Sequence, residues 1–155
     1  MFTTDAHTGG WTSRVEVEVR VEPAPDAVAE ALKIQPGTEV LVRARVMYAD
    51  DEPVQLATSY LPRDLTRGTP IEGKDTGPGG IYARLEEAGH HLDQFVEIVR
   101  TGLATETEAT ALGVAVGATF LRIHRTAHTT DHVVETNHLT AIADRFELEY
   151  RLPTD

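Results

Sequence analysis

Residues 14–21 read Arg-Val-Glu-Val-Glu-Val-Arg-Val, a strict alternation whose period of two predicts a strand with its valines turned inward. Pro23 and Pro25 end it, and Asp26 is placed to cap a short helix in which Val28, Ala31 and Leu32 form one apolar stripe. Gln35-Pro36-Gly37-Thr38 reads as a turn. Two strands follow, 39–48 and 53–61, separated by the polar turn Asp50-Asp51-Glu52, and this pair predicts a hairpin.

The same order returns further along. Residues 95–101 predict a strand, Thr105-Glu106-Thr107-Glu108 caps a helix running to Leu112, and 113–117 is a turn. Strands 119–128 and 132–141 form a second hairpin around 129–131. The two stretches align without a gap at an offset of eighty. Arg20 meets Arg100, Ala24 meets Ala104, Leu32 meets Leu112, Gly37 meets Gly117, Leu41 meets Leu121, Arg45 meets Arg125 and Val54 meets Val134. Such a duplication implies two units related by a pseudo-twofold axis, with equivalent residues facing one shared cavity. Between the copies, 62–78 is rich in turn formers, and 79–89 predicts a helix opened by glycines and closed by Gly89. After them, Phe146, Leu148 and Tyr150 alternate with polar residues, which predicts a closing strand over 145–152. Strands joined mainly by hairpins, with three short helices, make an α+β domain with a largely antiparallel sheet.

A chain of 155 residues is long enough for one domain with a real core, and 41% hydrophobic with 25% charged residues is a globular composition. Residues 1–12 are expected to be a disordered lead-in and 13–152 the folded domain. No apolar run approaches the ~20 residues that span a bilayer, and the N-terminal stretch lacks a basic and apolar leader pattern, so no membrane partner is expected. The absence of cysteine excludes disulfides and thiolate metal sites, and suits a cytoplasmic location. A net charge of −11, with Lys33 and Lys74 the only lysines, argues against this chain gripping nucleic acid by itself.

Several segments resemble the UTRA domain, the effector-binding half of HutC-subfamily GntR transcription regulators. They are Gly37 to Arg43, the hairpin Tyr48 to Val54, the block Thr58-Ser59-Tyr60-Leu61-Pro62, the loop and helix from Asp75 to His90, the segment Ala104 to Gly117, and the ending Ala143 to Tyr150. Their order and spacing carry the resemblance over roughly residues 13–152. It implies a chorismate-lyase-like fold with internal pseudo-symmetry, a cytoplasmic homodimer, and a repressor's sensor domain. Such a domain binds a metabolite that modulates DNA binding by a winged helix-turn-helix. Only about a dozen residues precede the first strand here, too few for that module. The sequence is therefore expected to lack it, as an excised domain or a stand-alone copy. The alternative is a stand-alone enzyme or ligand-binding protein of chorismate-lyase-like fold.

Alternation also locates the candidate surface. Arg43, Arg45 and Met47 share one strand face with Gln55, Ala57 and Ser59 of the partner strand, whereas Val42, Ala44 and Val46 lie opposite. The apolar face must pack on helices, so the mixed face is the candidate effector surface. Copy two adds Arg125, Glu135 and Asn137 at the equivalent positions. A guanidinium suits a carboxylate or phosphate; the competing reading is that Arg45 and Arg125 simply pair with Glu135 or a neighbour. Gly79 and Gly80 open the helix that carries Ile81 and Tyr82, where free N–H groups favour an anion. In sugar-phosphate-sensing relatives, the resemblance implies a serine at Gly80, an arginine at Met47 and a glutamate at Ala57. Their loss here points to a larger or less charged effector, such as a carboxylated or aromatic metabolite. Among seven histidines, His124, His128, His132 and His138 lie near one hairpin, but no metal-ligand spacing is visible. No catalytic residue, metal or cofactor is assigned.

Overall fold

The computed structural model describes residues 12–154, so the expected lead-in over 1–12 lies, apart from Thr12, outside the described residues. Its elements are β1 (Ser13–Pro23), α1 (Asp26–Leu32), β2 (Glu39–Ala49), β3 (Glu52–Pro62), α2 (Arg63–Thr66), α3 (Gly80–Glu87), β4 (Gln94–Leu103), α4 (Glu106–Leu112), β5 (Thr119–His128) and β6 (Val133–Ile142). Single 3-10 turns occupy Pro70–Glu72 and Ala143–Arg145. The six strands form one antiparallel sheet in the order β1-β2-β3-β6-β5-β4. This is the expected α+β architecture.

The offset of eighty holds in the backbone. α4 begins and ends eighty residues after α1. The β1–β2 register, with Val17 opposite Arg45, recurs in β4–β5 with Glu97 opposite Arg125. Even the irregularity between Met47 and Tyr48 is repeated between Ala127 and His128. The two halves meet along β3 and β6, where Thr58 faces His138, its own equivalent, so the pseudo-twofold axis passes between them. α1 and α4 are each closed by a left-handed residue, Lys33 at φ 57° and Gly113 at φ 65°. Glycine adopts that conformation without steric cost, whereas copy one holds a lysine in it.

The sheet has two unlike faces. On one, Val28, Ala29 and Leu32 of α1 pack on Val40, Val42 and Val133, and Ala109 and Leu112 of α4 pack on Phe120 and Leu56. The other face is covered by the connection from α2 to α3. There Leu85 and Ile71, both without exposed surface, lie on Leu41, Leu61, Ala127 and Val134. Burying Leu85 contributes about 1.5–3 kcal/mol toward holding α3 on the sheet.

Three expectations need correction. Asp26 is the first helical residue and makes no side-chain cap, with Pro25 at the cap position. The connection contains a fourth short helix, α2, where turn-forming residues predicted only turns. And no strand forms over 145–152: the chain passes through the 3-10 turn and then runs on without ladder pairing. Its alternation is real, yet a strand also needs a neighbour with a free edge at the right place. Exposure rises from Leu148 at 40% through Tyr150 at 53% to Leu152 at 80%, as the segment peels away from the domain.

Candidate functional site

The mixed face of β2, β3, β5 and β6 carries the chemistry, beneath the connection that bears α3. Arg43 is not available to a ligand. Its guanidinium donates to the carbonyl oxygens of Ile71 (2.7 Å), Gly73 and Lys74 (3.0 Å), tying the 70–74 turn to the sheet. Arg45, one pleat further on, donates from Nη2 to Ser59 Oγ at 2.6 Å and to Asn137 Oδ1 at 3.1 Å. Its Nε is buried with no partner among the described residues. Burial lowers the Arg45 pKa, while Glu135 and Tyr82 act the other way.

Glu135 has no exposed surface. Tyr82 reaches down from α3 and donates its hydroxyl to Glu135 Oε1 at 2.5 Å, and Oε2 is buried without a partner. Burial raises the carboxyl's pKa, against the opposing pull of Tyr82, Ser59, Arg45 and Arg125. Burial likewise pushes the Tyr82 hydroxyl up, so it stays a donor at any physiological pH. Arg45, half-buried, and Glu135, fully buried, thus lie on one face without pairing to each other.

Arg125 meets a different fate from Arg45. Both Nε (2.7 Å) and Nη2 (2.6 Å) donate to Glu97 Oε1, and the Tyr150 hydroxyl donates to Glu97 Oε2 at 2.6 Å. Burial alone would raise the Glu97 pKa; the Tyr150 and Arg125 hydrogen bonds outweigh it and hold Glu97 ionised. The Phe95 ring packs against Tyr82 with centroids 5.1 Å apart, and the Arg125 guanidinium lies 5.8 Å from its centroid.

The structure therefore places two hydrogen-bonded sets on one sheet face, Arg45 with Ser59 and Asn137, and Tyr82 with Glu135, with Met47, Gln55 and Ala57 buried on the same face. Ile81 packs into the core under α3. Gly79 and Gly80 take positive φ at the helix start, but the Gly80 N–H is spent on Gly77 O at 3.1 Å. Arg125 is set apart by its pairing with Glu97, not Glu135. Sequence reasoning missed Ser59, Glu97 and Tyr150 as participants. Ser59 lay on the identified face, and pairing strands 94–103 and 119–128 in register would have found Glu97. Two of the histidines meet, His124 stacking on His138 with ring centroids 4.1 Å apart, whereas His128 Nε2 lies 2.8 Å from Thr126 Oγ1. Among the described residues no group of three or more His, Cys, Asp or Glu is placed to hold a metal. A shallow apolar groove between α1 and β4, containing Ala27, Ala31, Val96 and Ile98, lies on the opposite sheet face from Arg45 and Glu135.

Comparison with known proteins follows the same lines. A model of the UTRA domain matches residues 11–147. An HTH-type transcriptional regulator of Streptomyces coelicolor is 33% identical over 114 residues, which are 72% of this chain and 42% of that protein. Another, from Mycobacterium tuberculosis, is 32% identical over 127 residues, 79% of this chain and 45% of the relative. The chain thus spans less than half the length of these curated relatives. Among solved structures, a GntR-family transcriptional regulator superposes with a TM-score of 0.88 at 28% identity, covering 99% of this chain and 64% of that one. The effector domain of PhnF from Mycobacterium smegmatis gives 0.83 at 22% identity, covering 99% and 95%. The C-terminal domain of the histidine utilization repressor from Pseudomonas syringae gives 0.82 at 23% identity, covering 92% and 100%. At those last two identities the likeness speaks for the fold alone. With a model matching most of its length, and a sheet, cover helix and pseudo-symmetry to accompany it, the chain belongs to the UTRA domain family.

Proposed function

We infer that this chain is the small-molecule sensor of a GntR/HutC-type transcription regulator and that its effector binds at the Arg45–Glu135 face. One observation carries the reading. Two buried polar atoms of opposite character, Arg45 Nε and Glu135 Oε2, stand without partners on one sheet face beneath α3. Buried polar groups are almost always satisfied, so such a pair marks a place where a third molecule belongs. Tyr82 links that place to α3, and the Arg125–Glu97–Tyr150 chain links the same face to β4 and the C-terminal segment. An occupant would shift the population of arrangements of these elements, and so alter DNA binding by a separate winged helix-turn-helix.

The role is regulatory and not enzymatic, in keeping with relatives that are named as transcriptional regulators. The working unit is a cytoplasmic homodimer that acts as a repressor. β4 supports the dimer: it is an edge strand whose Val96, Ile98, Val99 and Leu103 are all at least 40% exposed, and a bare apolar edge invites pairing with a second copy. A metabolite screen by thermal shift, run on the native chain and on Arg45→Gln, tests the site. Hits that raise Tm in the native protein should lose their effect in the variant. Hits indifferent to the substitution would place the effector elsewhere.

A further inference from the structure

We propose that the effector is a zwitterion, an amino-carboxylate whose ammonium pole meets Glu135 Oε2 and whose carboxylate pole meets Arg45 Nε. The proposal rests on the reading of this face as the effector site and adds the chemical class. Five charged side chains share this face, Arg43, Arg45 and Arg125 with Glu97 and Glu135, and most are already engaged. Arg125 and Glu97 are already spent on each other at 2.6 Å, with Tyr150 completing the carboxylate. Arg43 is spent on three backbone carbonyls. What is left is the half-buried Arg45 and the fully buried Glu135, each with one buried atom unmet and not paired to each other.

A phosphorylated sugar fits this place badly. It would bring about two negative charges to a surface with a single unspent guanidinium and would set them beside the Glu135 carboxylate. A plain carboxylate would satisfy Arg45 and leave Glu135 orphaned, and a plain amine would do the reverse. Leaving a buried charged group unmet is the costly outcome in both cases. Only a ligand carrying both poles removes both orphans without changing the net charge of the site. Asn137 and Ser59, held by the Arg45 Nη2, fix the guanidinium so that Nε keeps its direction. Tyr82 does the same for the carboxylate of Glu135 from above.

Isothermal titration of the 155-residue chain with three sets of probes decides the matter. The first set is the proteinogenic amino acids and the ω-amino carboxylates of two to six carbons. The second is the matching amines and carboxylates with one pole removed. The third is glucosamine 6-phosphate and glucose 6-phosphate. At least one amino-carboxylate should bind tenfold or more tighter than either of its one-pole analogues, and Arg45→Gln and Glu135→Gln should each weaken it at least tenfold. Circular dichroism checks that both variants fold. A sugar phosphate or a one-pole analogue that binds as tightly, and is lost in Arg45→Gln, would overturn the zwitterion and leave the effector site standing. Binding unaffected by either substitution would remove both. No binding by any amino-carboxylate also overturns the proposal.

Discussion

Replacing Glu135 with glutamine should make the protein more stable at neutral pH, and the gain should grow with pH. Glu135 is fully buried, has one hydrogen bond from Tyr82, and has a carboxyl pKa raised by that burial above the ordinary value of 4.5. A group whose pKa is higher in the folded than in the unfolded chain supports folding fully below the unfolded value. It loses that support as pH rises through the folded value. Between those two values the native protein should lose about 1.4 kcal/mol per pH unit relative to a variant that cannot ionise. Glutamine keeps the carbonyl that accepts from Tyr82 and exchanges an orphaned oxygen for an orphaned amide, so the neutral terms nearly cancel. Copy one shows that the backbone accepts the residue, since Gln55 occupies the equivalent position and is itself buried.

For a chain of this length about 1 kcal/mol moves Tm by roughly 2–4 °C, so the gap between variant and native should widen by about 3–5 °C for each pH unit above 4.5 before it levels off. The pH at which it levels off reads the folded pKa directly. The assay is a series of thermal melts of both proteins from pH 4 to pH 9. A gap that stays flat across that range would show that Glu135 is solvated or already paired, and the case for an unmet negative pole would go with it.

Two further outcomes follow from other parts of the molecule. Glu108 sits in a fork with Arg122 at 2.6 and 2.7 Å, and the Arg122 hydrogen bonds hold its pKa down to about 2. A depressed carboxylate supports folding above its unfolded pKa and loses that support as pH falls through the folded one. The side chains are 18% and 28% exposed, so solvent screening reduces the effect, and Glu108→Gln should cost about 1–2 kcal/mol at pH 7. That corresponds to a Tm loss of about 2–8 °C, read by melts, which shrinks toward zero as pH falls from 4.5 to 2. On β4, Ile98→Lys should convert a dimer to a monomer in size-exclusion chromatography with light scattering, with the melt little changed; a dimer that persists would place the interface elsewhere.

The frame of the molecule was legible because two independent signals agreed. Alternation located the strands, and the offset of eighty required the second half to repeat the first; α4, the left-handed helix ends and the strand irregularities all fall where that offset puts them. The mixed face was legible for the same reason, since period two separates Arg45 from Val42 whatever the strand pairs with. Register was harder to see. Glu97 belongs to the strand expected over 95–101, and its role depends on lying opposite Arg125, a fact of pairing and not of pattern. The closing segment fails from the other side. Residues 145–152 alternate well and place the Tyr150 hydroxyl on Glu97, but no neighbouring strand completes a ladder.

Divergence between the copies explains which arginine is left for a ligand. Arg45 and Arg125 occupy equivalent places in equivalent strands, and each faces one residue on its edge-strand neighbour. For Arg125 that residue is Glu97, which neutralises it; for Arg45 it is Val17, which cannot. The opposite change occurs one strand away, where Gln55 of copy one becomes Glu135 of copy two. Each copy therefore supplies one unspent charge, positive from the first and negative from the second, and the pseudo-twofold axis between Thr58 and His138 brings them to the same face. On the helical side, divergence has been used differently. Val28 and Val42 of copy one, packed in the core, become Glu108 and Arg122, which close on each other and leave nothing unmet. A duplicated domain that loses symmetry in compensated pairs is adjusting its packing. One that loses it in uncompensated charges on a covered face is shaping a place for something else to bind.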